Sequence, residues 1–141
     1  EQAFALYRGR FHPSAALDRP HAMMAINVFA AATETEARRL RTTMQQAFYR
    51  LRTGRPGKLP APVDDLAAVV PPSVWPALDA ALSVSAVGDP DQVAAQLAAL
   101  VARYRPDEVI LTGQIHDPVA RLRSFEIAAE AMRRIALAAA A

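Results

Sequence analysis

Four polar side chains fall where an α/β chain concentrates its chemistry. Asn27 interrupts the apolar run Ala22–Ala30, Ser85 sits in the run Ser83–Val87, and Thr112 and Gln114 stand at the end of the run beginning at Asp107. In parallel βα architectures, sites form at the carboxyl ends of the strands. A polar group inside an apolar strand costs free energy unless it is hydrogen-bonded. Four of them on neighbouring strands are therefore expected either to share a polar mouth or to bond only backbone and water.

Other chemistry has little to stand on. His12, His21 and His116 are far apart and lack the neighbouring ligands of a metal site, so no metal is expected. There is no Gly-x-Ser-x-Gly, no P-loop and no Gly-x-Gly-x-x-Gly. The turn Val87-Gly88-Asp89-Pro90 leads into a helix N-terminus, a place that can hold an anion. Asp89 already brings negative charge there and is expected to act as a cap.

The totals describe a globular chain of 141 residues, 52% of them hydrophobic and 21% charged. Sixteen Lys+Arg against fourteen Asp+Glu leave a formal charge of only +2, and no basic run is interleaved with aromatics, so nucleic acid is not an expected partner. Zero cysteines exclude disulfides and fit a cytoplasmic location. The longest apolar run, near Ala22–Ala32, is too short to span a membrane, and no signal peptide pattern is present. Glu1 opens a segment that already reads as the end of a helix, which suggests a chain cut from something larger.

The elements that must position the four residues can be read in order. Residues 1–12 form a helix tail stopped by Pro13, and Ala22–Ala30 is a strand buried on both faces. Thr33-Glu34-Thr35-Glu36 is a capping box for a helix reaching about Arg52, with Ala37, Leu40, Met44, Phe48 and Leu51 on one face. Its arginines, Arg38, Arg39, Arg41 and Arg50, read as a solvated face, with an anion site as the alternative. Residues 53–82 are an excursion dense in proline, with short helices expected over Asp64–Val70 and Ser73–Leu82, lid-like or simply packed. Two strand–turn–helix units follow, each turning at Asp-Pro: Asp89-Pro90 and Asp117-Pro118. Leu122, Phe125, Ala129, Met132 and Ala136 are expected to be the buried stripe of the last helix, and Ala138–Ala141 to fray. Repeated βα order with short turns implies parallel strands.

Tyr7-Arg8-Gly9-Arg10-Phe11-His12-Pro13-Ser14, the strand Met23–Ala32 running into Thr33–Arg38, and Ala86-Val87-Gly88-Asp89-Pro90 follow one another in order. Asp107–Thr112 and the run Asp117 to Glu126 complete the series. Together they resemble the C-terminal part of luciferase-like flavin monooxygenases. The resemblance implies a (β/α)8 barrel, with the three strands here as its sixth, seventh and eighth and residues 53–82 as a lid-like insertion in one partial domain, 1–141. It implies reduced FMN, or F420 in a related branch, bound at the strand ends near Asn27, Ser85, Thr112 and Gln114. It further implies O2 and a small organic substrate, a flavin reductase as possible partner, a homo-oligomer, and catalytic residues upstream of Glu1. On this basis the chain alone is expected to lack activity. A free-standing α/β interaction module without catalysis is the alternative.

Overall fold

The structure is a computed structural model that describes residues 1–139. Helix α1 (Gln2–Arg10) precedes strand β1 (Met23–Ala30), which leads into helix α2 (Glu34–Arg52). Two 3-10 turns, Leu66–Ala68 and Pro72–Val74, lead into α3 (Trp75–Ala81). Then come β2 (Ser85–Gly88), α4 (Pro90–Tyr104), β3 (Glu108–Thr112) and α5 (Pro118–Ala139). The last two residues, 140 and 141, part of the stretch expected to fray, lie outside the described residues. No helix among the described residues is long and apolar enough to cross a membrane.

The three strands form one parallel sheet in the order β2-β1-β3. The α/β class and the parallel βα units are those expected. Their lateral order is not the chain order: successive strands of a barrel lie side by side, whereas here the first strand stands between the other two. The apolar content of β1 explains its place. Ile26, Val28 and Phe29 are fully buried, and only a central strand covers both edges of its backbone as well as both faces.

Alternation divides the sheet. Met24, Ile26, Val28 and Ala30 pack with Ala86 against Val93 and Leu97 of α4 and Ile127, Ala128 and Ala131 of α5. On the opposite face Phe29 and Ala31 meet Ala37 and Leu40 of α2, together with Ile115. Helix α2 thus covers this second face towards the carboxyl end of β1. Nearer the amino end, Met23 and Ile110 remain 49% and 42% exposed.

Both Asp-Pro turns cap as expected. Asp89 accepts from the amides of Asp91 and Gln92 while the Gln92 side chain accepts from the Asp89 amide, and Asp117 accepts from the Ala120 amide at 2.7 Å. Thr33 accepts from the Glu36 amide at 3.3 Å. The outer edge of β2 is also closed. Gln96 on α4 accepts from the Val87 amide at 3.0 Å and donates to the Val87 carbonyl at 2.8 Å, as a neighbouring strand would.

Two buried stripes differ from expectation. In α5 the inward positions are Ser124, Ile127, Ala128 and Ala131, whereas Leu122 is exposed. Ser124 decides the rotation, because its hydroxyl accepts from the Ala30 amide at 2.9 Å and lies 3.4 Å from the Val28 carbonyl. In α2, Leu51 is exposed while Thr42, Thr43, Gln45 and Gln46 are buried. The proline-rich segment lies along that polar flank: the Thr42 hydroxyl accepts from the Val63 amide, and Gln46 donates to the Ala61 carbonyl. Arg39 and Arg41 reach Asp64 and Asp79 from the same helix. The helix expected over Asp64–Val70 contracts to the 3-10 turn at Leu66–Ala68, capped by Asp65.

At the amino end of the sheet, the Ala22 amide donates to the Asp107 carboxylate at 2.8 Å. That bond, ahead of the charges of His21, Arg8 and Arg19, holds Asp107 below its ordinary value. Because the folded-state value is the lower one, the stabilisation is full above the unfolded value and is lost as pH falls through the folded one. Asp107→Asn is expected to flatten the acid limb of stability, read from urea midpoints taken from about pH 6 to about pH 2. Ser124→Ala leaves the buried Ala30 amide without its acceptor and is expected to cost about 1–3 kcal/mol in urea unfolding at neutral pH.

Candidate functional site

Register brings three of the four polar residues into one row. Asn27 of β1 pairs with Ser85 of β2 on one side and with Thr112 of β3 on the other. In-register residues of parallel strands share a face, here the one that carries Phe29 and α2. The row lies where α2's cover ends. Beyond it towards the amino end are Met23, Ala25 and Ile110, all exposed.

Hydrogen bonds tie the row together. The Thr112 hydroxyl donates to Asn27 Oδ1 at 3.0 Å, and Asn27 Nδ2 donates to the Val84 carbonyl over a long 3.4 Å. The Ser85 hydroxyl turns back to the Leu82 carbonyl at 2.6 Å. All three side chains belong to half-buried residues. An amide carries two donor hydrogens and a carbonyl two lone pairs, so Asn27 keeps capacity for a ligand while Thr112 fixes its orientation. The row bears no charge. What such a row can offer is hydrogen bonds at the edge of an apolar floor.

Gln114 does not join the row. It is exposed beyond the end of β3 and lines a separate cleft of about 250 Å3 with Met44, Phe48 and Leu51 of α2 and Lys58 of the loop. Glycine spacing explains part of the divergence. A Cβ on Gly113 would lie 2.9 Å from the Val28 carbonyl, so the chain runs tightly over β1 between Thr112 and Gln114.

A third feature escaped the sequence reading. Ser85 also borders an open cleft of about 390 Å3 with Glu34, Arg38, Arg41, Asp79 and Gln92. Glu34 is held below the usual carboxylate range by the Gln92 amide and then by Arg38, and Arg41 carries a buried Nε–H without a partner. The sequence signals for it are Gln92, three residues after Asp89 where a capping box places its returning side chain, and the Glu34–Arg38 spacing of four on one helix face.

No family model matches the chain. A luciferase-like monooxygenase of Escherichia coli K12 is 44% identical to it over 127 residues, covering 90% of this chain and 38% of that protein. The Bacillus subtilis protein YvbT is 36% identical over 128 residues, with 91% and 38% covered. The crystal structure of apo-MsnO8 matches with a TM-score of 0.71 at 28% identity, over 94% of this chain and 41% of that one. The chain thus spans about two fifths of the length of the relatives it matches. The resemblance to luciferase-like monooxygenases and the α/β reading are borne out together.

Flavin is the cofactor that this resemblance implies. Neutral, half-buried donors and acceptors beside exposed apolar side chains fit the hydrogen-bonding edge of a flat, uncharged ring. The row offers no cation to a phosphate. Thr112→Val removes the donor to Asn27 and is expected to cost about 0.5–1.5 kcal/mol in urea unfolding with an unchanged far-ultraviolet spectrum.

Proposed function

We propose that the chain forms part of a flavin-dependent, luciferase-like monooxygenase that oxygenates a small organic substrate, and that the Ser85–Asn27–Thr112 row lines its cofactor or substrate pocket. The row is the observation that carries this reading, because it gathers the polar groups of three strands at one level of one face. Similarity to a luciferase-like monooxygenase supports the reaction class. Bound reduced FMN, or F420 in its place, would supply the redox chemistry, with the protein positioning it and excluding water.

The chain's own residues have three tasks in this reading. Asn27, held by Thr112, presents amide hydrogens and a carbonyl lone pair to a ring or substrate edge. Met23, Ala25 and Ile110 provide the dry floor below it. Residues 53–82, tied to α2 through Thr42, Gln46, Arg39 and Arg41, act as a cover within a single domain. Catalytic residues lie outside this chain, a flavin reductase delivers the reduced cofactor, and the protein works as a homo-oligomer.

The test uses the whole gene product. With reduced FMN regenerated by a flavin reductase, it is expected to consume O2 in a substrate-dependent way. Asn27→Leu is expected to lower turnover about two- to twelvefold, the worth of one net hydrogen bond. The 141-residue chain alone is expected to bind FMN more weakly than micromolar by calorimetry. Unaltered kinetics in the Asn27 variant would remove the row from the site, and absence of flavin-dependent O2 uptake would sink the reaction class.

A further inference from the structure

The flavin reading makes no use of the open cleft of about 390 Å3 that Ser85 borders on its other side. The charged groups lining it are two arginines, Arg38 and Arg41, and two carboxylates, Glu34 and Asp79, so the lining has no net charge. The two pairs are satisfied to different degrees. Glu34 receives Arg38 on one oxygen at 2.6 Å and the Gln92 amide on the other at 2.8 Å. Arg41 and Asp79 share a single bond of 3.0 Å, from Nη2 to Oδ1.

A guanidinium carries five donor hydrogens and binds a carboxylate best through two parallel bonds. Arg41 falls short of that. Its Nε–H is buried without a partner among the described residues, and only 19% of the side chain is exposed, against 60% for Asp79. A charged group drawn that far out of water needs its donors paired. Arg38 stands one turn before Arg41 on the same helix face. Glu34, Arg38 and Gln92 therefore make one finished wall of the cleft, and Arg41 with Asp79 makes an unfinished one.

We propose that this cleft binds a free α-amino acid with an uncharged polar side chain. Its carboxylate lies against the donors of Arg41 that Asp79 leaves open, and its ammonium lies on Asp79. Its side chain runs towards Gln92, which has spent one of two amide hydrogens on Glu34. A zwitterion suits a lining of zero net charge. A phosphate would meet Glu34 and Asp79, and a simple cation would meet both arginines. The site goes beyond the flavin reading and does not require it. Ser85 borders both, but its hydroxyl is turned to the Leu82 carbonyl.

The probe is L-glutamine, titrated into the 141-residue chain by calorimetry. L-glutaminamide, which lacks the carboxylate, and glutaramate, which lacks the ammonium, are its counterparts. L-glutamine is expected to bind at least about tenfold more tightly than either, the worth of one charge-assisted hydrogen bond, and inorganic phosphate should not displace it. Arg41→Met is expected to lose about tenfold for L-glutamine and none for L-glutaminamide. Arg123→Gln, which breaks an ion pair on α5 away from the cleft, should alter nothing. The urea midpoint reports whether each variant is folded. Should Arg41→Met unfold, Asp79→Asn at an exposed residue takes its place, with at least about a threefold loss for L-glutamine and none for glutaramate. No heat from L-glutamine at millimolar concentration, equal binding of the three compounds, displacement by phosphate, or a folded variant that binds L-glutamine as the parent does overturns the proposal.

Discussion

Everything in this fold depends on the burial of β1. Its eight residues, nearly all apolar, have strands on both sides and helices over one whole face and the carboxyl half of the other, which leaves Met23 and Ala25 exposed. β2 and β3 supply the edges, α4 and α5 supply one face, and α2 supplies part of the other. Ser124 adds a polar peg from α5 to the β1 backbone. Asn27 is the exception that this arrangement tolerates. It sits at the centre of the sheet because its strand does, so any polar group aligned with it on a neighbour must meet it.

The two faces are finished differently, and the proposed site lies at that difference. On the α4–α5 face the small side chains Ala86, Ala128 and Ala131 allow the helices to approach β1 closely. On the other face, cover stops at Phe29, and the level of Asn27 is where packed interior gives way to accessible surface. Polar groups placed at that boundary are shielded enough to be oriented by each other and open enough to meet a ligand.

The sequence made the helix starts, the strands and the three-residue polar row legible because each has a local cause. Asp-Pro encodes a cap, and a continuous apolar run encodes the central strand, although that strand is buried on both faces only towards its carboxyl end, with Met23 and Ala25 exposed. The rotation of α5 was not legible, because alanines at 128, 129, 131 and 136 give no hydrophobic contrast and the deciding contact joins the Ser124 hydroxyl to the amide of Ala30 on a strand distant in sequence. The buried polar flank of α2 was hidden for a similar reason: Thr42 and Gln46 are covered by Val63 and Ala61, 21 and 15 residues further along the chain. Strand order is non-local too, since pairing across the sheet leaves no trace in either strand alone. Gln114 lies past the end of β3, beyond the close passage at Gly113, and so outside the row.

Gln96 has a consequence for growth of the sheet. Its amide satisfies both backbone groups that Val87 turns away from β1, so a strand arriving alongside β2 must first break two good bonds to gain its own. A strand arriving alongside β3 meets no such toll from Gln96. The sheet therefore has a direction: one border is sealed from within by a side chain, and lengthening it favours the other.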